Sequence, residues 1–303
     1  MKLKASVIVG VMLVLAACGQ ERTPDEHFDA AVEEMSMAFF SHVPEAATQL
    51  GISDESVPGA NRRMMDRSIA GNTARIVALE AALAKLEAID AQSLTADRQR
   101  SHAVFTTLFE GMLGPSRVAD FGTTAGAWTA WYLPYPIVQN SGPTVDIPNF
   151  LNSQQPVTNA EEAEAYLERL ATVRAALDGA LESYRAGVQA GAIPPDFIVE
   201  KSLAVVEAFL EPEAGENPMY LSFAARLEEA EIENASDYAD RALKIIDADV
   251  LPAYQRIADY MGEIRSSAPH DAGMWRLPNG EALYAAMIRH MTDSNLSADD
   301  VHR

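Results

Sequence analysis

The chain has 303 residues, is 48% hydrophobic and 22% charged, and carries a formal charge of −21. These values suit a folded chain with a substantial core and exclude the disordered, collagen-like and disulfide-rich classes. The acidic balance argues against nucleic acid as a partner, because that binding draws on cations that release counterions, and against a surface that reads anionic lipid.

The first element is a leader. "MKLKASVIVGVMLVLAACGQ" has a short basic start, an apolar run over residues 5–17 and small residues before Cys18. The run is too short to span a bilayer comfortably and reads as a signal peptide over residues 1–17. "LAAC" resembles the bacterial lipobox, which implies cleavage before Cys18 and lipidation of that residue as the membrane anchor. A lone cysteine in an exported chain has no disulfide partner within it, which fits that role. Gly19 stands where an inner-membrane-retained lipoprotein commonly has Asp, so the periplasmic side of the outer membrane is favoured if the cell has two membranes. Residues 18–26 read as a polar tether, and residues 27–303 as a helical portion.

The patterns that follow are those of an all-α chain of long amphipathic helices. "FDAAVEEMSMAFFSH" is a first amphipathic segment. Over residues 65–89, Ile69, Ile76, Leu79, Leu83 and Leu86 recur mostly at steps of three and four and share one face. Thr95 opens a helix through residue 112, with Val104, Phe105, Leu108 and Phe109 as its stripe. Thr158 and Glu161 form a predicted capping box. Ala163, Tyr166, Leu170, Val173, Leu177, Leu181, Tyr184 and Val188 then line one face of a long helix that Gly191 closes. Pro195 starts the next helix, and "PMYLSFAARLEEAE" forms another. A segment over residues 237–265 should kink or divide at Pro252. One stretch reads as non-helical, the aromatic and proline-rich loop over residues 126–150. It either packs down over the core or lines a groove for an extended ligand.

No catalytic set is visible. The six histidines, His27, His42, His102, His270, His290 and His302, include no pair four residues apart, so no helix face presents two imidazoles to zinc. No Gly-x-Ser-x-Gly elbow is present. His102 reads as a surface residue, and Glu161, Glu162, Glu164 and Glu168 as a solvated helix face. Hence no catalytic and no metal-binding residue is assigned. Near the end, "GMWRLPNGEALYAAMIRHMTDSNLS" gathers a turn at Pro278, Asn279 and Gly280 and a helix with Leu283, Met287, Ile288 and Met291 inward. Trp275, Asn279, Gly280, Tyr284 and His290 are the substrate-cleft candidates. The bland alternative for them is a core helix with an aromatic anchor. "NLSADD" is a helix opening, with Ser297 as N-cap and Asp299 and Asp300 in the first turn.

The order of these pieces resembles bacterial domain-of-unknown-function family 885. "WRLPNGEALYAAMIRHMTDSNLSADDVH" is similar to a family stretch with Leu-Pro-x-Gly, a Tyr pair and a Thr-rich run; here Leu283-Tyr284 replaces the pair. "QNSGPTVDIPNFLNSQQPVTNAEEAEAYLERL" followed by "GVQAGAIPPDFIVEK" is a second match in the same order. The resemblance implies a peptidase-like helical array and a zinc-peptidase-like lipoprotein. The family's His-Glu-x-x-Pro-Gly-His motif has no counterpart in this sequence, so no metal or general-base position is carried over. Zinc is then expected only in a longer form, and the chain reads as an incomplete, N-terminal half that is inactive alone. The alternative is a non-catalytic helical lipoprotein that binds peptides or envelope partners.

Overall fold

Thr23 opens the first helix. Its hydroxyl accepts the Glu26 N–H at 3.3 Å while the Glu26 carboxylate accepts the Thr23 N–H at 2.7 Å. This reciprocal cap, with Pro24 in the first turn, starts α1 (Pro24–His42). Residues 24–26, read as tether from sequence, are therefore helix. The structure, a computed structural model, describes residues 22–119, 121 and 134–303. The expected leader, Cys18 and part of the aromatic stretch, including Trp128, Trp131 and Tyr132, lie outside the described residues.

The chain continues through α2 (Pro44–Gln49), α3 (Ile69–Glu87), α4 (Ala96–Val118), α5 (Pro143–Ser153), α6 (Ala160–Gln189) and α7 (Asp196–Leu210). It ends with α8 (Pro218–Glu229), α9 (Ala235–Ile245), α10 (Leu251–Arg265), α11 (Gly280–Thr292) and α12 (Ala298–Val301). The fold is all-α. Among the described residues the only extended pairing is an isolated bridge, Val138 with Ser141.

The main core surrounds α6, whose predicted stripe is buried from Ala163 to Tyr184, with Val188 half-buried. Around it pack α5, α7, α8, α9 and α10, with Tyr166 stacked on Phe223 at 4.0 Å between centroids. A second core holds α1, α3 and α4 together through Phe28, Met35, Leu79, Leu83, Leu86, Phe109 and Leu113. Residues 64–68 stitch the two. Met64 N–H donates to Thr172 Oγ1 at 2.9 Å, and Ser183 Oγ donates to the Arg67 carbonyl at 2.9 Å. Gly179 lies between those anchors, where a β-carbon would come within 2.6 Å of the Ser68 nitrogen.

Several expectations change. The long helix is capped by Asn159, whose side chain accepts the Glu162 N–H at 3.0 Å, and Thr158 bonds Glu162 instead of Glu161. Both residues are good caps, so the pattern left the register one residue loose. Helix α4 runs on past residue 112 through Pro115 to Val118, and its Val104 and Leu108 face solvent. Ile69 is likewise exposed, because it sits at the first turn of α3, where the stripe has not yet met a neighbour. His102 is half-buried, donating Nε2–H to the Leu86 carbonyl at 2.8 Å, and so caps a carbonyl near the end of α3.

Residues 143–150, read as loop, are helix. Pro143 opens α5 with a fixed φ, and Pro148 lies inside it. Pro148 cannot donate to the Thr144 carbonyl one turn back. The buried Tyr254 hydroxyl, from α10, donates to it at 3.0 Å and restores the bond. The Pro252 break takes the form of a wide π turn over Ile246–Val250, after which Pro252 sits in the first turn of α10, where a missing N–H is harmless.

Candidate functional site

Helix α11 packs on the C-terminal half of α4. The turn before it is fixed from three sides. Gly280 N–H donates to the Leu277 carbonyl at 2.9 Å, closing the turn that Pro278 and Asn279 occupy. Asn279 takes a left-handed conformation, φ 54°, which Asn tolerates. Its amide donates to the Val118 carbonyl at 3.0 Å, capping the end of α4. Gly280 must be glycine, since a β-carbon would collide with the Met274 carbonyl oxygen. Arg276 ties the same turn to the rest of the fold, donating to the Ile193 carbonyl at 2.6 Å and the Tyr135 hydroxyl at 2.8 Å. Arg276 lies inside the quoted stretch without being singled out; its role comes from partners 83 and 141 residues away in sequence.

The five cleft candidates thus hold different posts. Asn279 and Gly280 build the turn. Trp275 is 77% exposed, its ring folded over the Gly273 backbone, where a β-carbon would strike it. Tyr284 hydrogen-bonds His302 Nε2 at 2.8 Å with the two rings stacked, which joins α11 to α12. His290 is half-buried in the α4–α11 seam. A β-carbon on Gly111 would come within 2.5 Å of its Nδ1, and its Nε2 is buried without a partner. Burial holds its pKa below the usual histidine range, against an opposing pull from Asp293. Met291, placed inward by its spacing, is 54% exposed. It stands at the end of α11, past most of that helix's buried positions.

Ser297 caps α12 as the pattern implied. Its hydroxyl accepts the Asp300 N–H at 3.2 Å, and the Asp300 carboxylate accepts the Ser297 N–H at 3.1 Å, a capping box on a four-residue helix.

These pieces sit in the order the resemblance required, and comparison with known proteins decides the family. The model of "Bacterial protein of unknown function (DUF885)" matches residues 44–303. The chain belongs to the DUF885 family. Its helical fold is similar to that of a solved structure of a protein called a "putative lipoprotein" from Colwellia psychrerythraea, with a TM-score of 0.84 and 20% identity. That likeness covers 92% of this chain and 48% of the other, so the chain spans about half of that protein's length. No curated protein matches the chain.

Whether the residues present could hold the zinc that a peptidase resemblance implies follows from the donors. Among the described residues, no three His, Cys, Asp or Glu side chains gather around one point. His270 Nδ1 meets Asp196 at 3.0 Å on the surface, without a third ligand. His42 is half-buried, its pKa lowered by burial and by the charges of Arg75 and Arg63, which would also repel a cation. These donors do not fit a zinc site. The acids of α6 are engaged elsewhere: Glu164 takes a two-pronged bond from Arg241 at 2.5 and 2.8 Å, and Glu168 pairs with Arg62 at 2.8 Å. Among the described residues no helix is long and apolar enough to cross a membrane.

Proposed function

We propose that this DUF885 chain is the non-catalytic, cleft-forming helical portion of a zinc-peptidase-like lipoprotein. In this reading Cys18 carries the lipid and tethers the protein to the envelope, on the periplasmic side of the outer membrane in a two-membrane cell. The α4–α11–α12 side faces the partner surface that completes a peptide-binding cleft. Trp275 and Tyr284 lie on that side as candidate contacts.

The observation that supports the reading is where apolar surface stays wet. Ten large hydrophobic side chains are exposed among the described residues, and six of them, Val104, Leu108, Trp275, Met291, Leu296 and Val301, belong to α4, α11, α12 and the segments beside α11. These elements are neighbours, α11 packing on both α4 and α12, and apolar surface that gathers into a patch marks interaction sites. The lipoprotein name of the solved relative and the lipobox-like "LAAC" support the anchor.

Two experiments test it. The native chain should bind the dye ANS, and the combined variant M291S/L296S/V301S should bind less with an unchanged melting temperature. A native chain that binds no dye would remove the argument for a partner surface. For the anchor, globomycin should block maturation of the wild type and have no effect on C18S. Processing that is insensitive to globomycin would overturn lipidation.

A further inference from the structure

A groove of about 590 Å³ opens between the start of α3, the C-terminal half of α6 and α10. That volume lies within the range of small-molecule sites. Its lining mixes apolar and charged groups. Leu181, buried, and Ile69, 45% exposed, supply apolar surface. Arg174, Arg185 and Arg256 supply cations. Asp178 and Glu182 line it as well, so three guanidinium groups stand against two carboxylates in a chain that is otherwise strongly acidic.

Two of the three are already satisfied. Arg256 donates twice to Asp178 Oδ1, at 2.9 and 2.6 Å. Arg174 pairs with Asp249 at 3.1 Å and with Asp178 at 3.6 Å. Arg185 differs. No carboxylate of the described residues lies within ion-pair distance of it, and its guanidinium is held 4.9 Å from the Tyr260 ring centroid. Tyr260 is itself set edge-on against the buried Tyr184 at 5.5 Å. The cation is therefore positioned while its donors remain open. Gln189, one turn along the same helix face, is in the lining, and its side chain makes no hydrogen bond to the described residues. Glu182 also lines the groove, with no cation of the described residues within ion-pair distance. Its charge disfavours a dianion more than a monoanion.

We propose that this groove binds a small monocarboxylate with an apolar body. The carboxylate lies on Arg185 and Gln189, and the apolar body lies against Ile69 and Leu181. A planar guanidinium matches a carboxylate in a two-pronged geometry, which an unpaired, ring-held arginine offers at little ordering cost. The same chemistry is presented by the C-terminal residue of a peptide and by a free N-acyl amino acid. The inference does not depend on the peptidase reading.

The test is calorimetric titration of the full chain with N-acetylleucine, N-acetylleucinamide, acetyl-Ala-Ala-Leu and inorganic phosphate. N-Acetylleucine should bind saturably with a Kd on the order of 1 mM, as befits about a dozen heavy atoms at ordinary ligand efficiency. The uncharged amide should bind at least about tenfold more weakly, the loss expected for one charge-assisted bond. R185Q should show a similar loss with an unchanged melting temperature. E182Q should tighten binding, which a merely structural Arg185 would not produce. Phosphate should bind more weakly than N-acetylleucine. Tighter binding of the tripeptide acid supports the site as one for peptide ends, and equal binding supports it as one for free acids. Equal binding of the amide, wild-type affinity in R185Q, or no saturable binding overturns the proposal.

Discussion

Replacing Arg169 by methionine should destabilise the fold by about 2–4 kcal/mol. Arg169 is fully buried in α6 and reaches across to three parts of the chain. Its guanidinium donates to the Ala60 carbonyl, to Gln155 Oε1 and, at 2.9 Å, to Thr48 Oγ1, and it lies 4.8 Å from the Phe150 ring centroid. Burial pushes its pKa down from 12.5 to about 10, so it stays charged at neutral pH. That shift corresponds to a penalty of about 3 kcal/mol on the charged form, which methionine would relieve. Against this stand three bonds to a charged donor, each worth about 1.5–3 kcal/mol. Thr48 keeps its bond to Asn61 Oδ1 at 2.8 Å, but the Ala60 carbonyl and Gln155 Oε1 lose the guanidinium in a dry interior. The lost bonds therefore outweigh the relief. Urea unfolding followed by far-UV circular dichroism measures the difference, and R169K, which keeps the charge but not the fork, should fall between. A methionine variant as stable as the wild type would refute the reasoning, because it would mean that desolvation of the arginine offsets everything the network contributes.

The turn before α11 gives a paired test in thermal melts. G280A should lose about 1–3 kcal/mol or more, since its β-carbon meets backbone that cannot move aside. G262A in α10, where nothing lies within 4 Å, should gain about 0.5–1 kcal/mol. His290 gives a pH dependence. Its folded pKa lies below the unfolded value of 6.5, so the unfolded chain takes up a proton first as pH falls through 6.5. Its contribution is thus present above that pH and lost below it, and H290L should flatten the decline in urea midpoint between pH 7.5 and pH 5. W275A should leave the melting temperature unchanged while reducing dye binding, because the ring is 77% exposed. A large loss of stability there would show that Trp275 anchors the fold.

What could be read from sequence followed local rules. The α6 stripe was legible because eight apolar residues repeat at helical spacing over one uninterrupted helix. The Ser297 cap was legible because its partner is three residues away. Where the sequence misled, the deciding contact was distant. Helix α5 looked like loop because it belongs to an aromatic and proline-rich stretch; the bond that Pro148 cannot make is supplied by the Tyr254 hydroxyl, 110 residues on. The acids of α6 looked merely solvated because the arginines that bind them, Arg62 and Arg241, are 106 and 77 residues away. Val104 and Leu108 fit the α4 stripe by spacing, but periodicity does not say which of two faces meets a neighbour. The cleft candidates were found as a cluster in sequence. Their individual posts depend on Val118, Gly111 and His302, which only the packing of α4, α11 and α12 brings to them.

In the proposed function this chain supplies a cleft wall and not a metal centre. Elemental analysis of the purified full chain after exposure to zinc and desalting, together with a peptidase assay with and without a chelator, tests it most directly. Well under one zinc per chain and no chelator-sensitive cleavage are expected. One tightly held zinc per chain, with peptide hydrolysis lost on chelation, would contradict it.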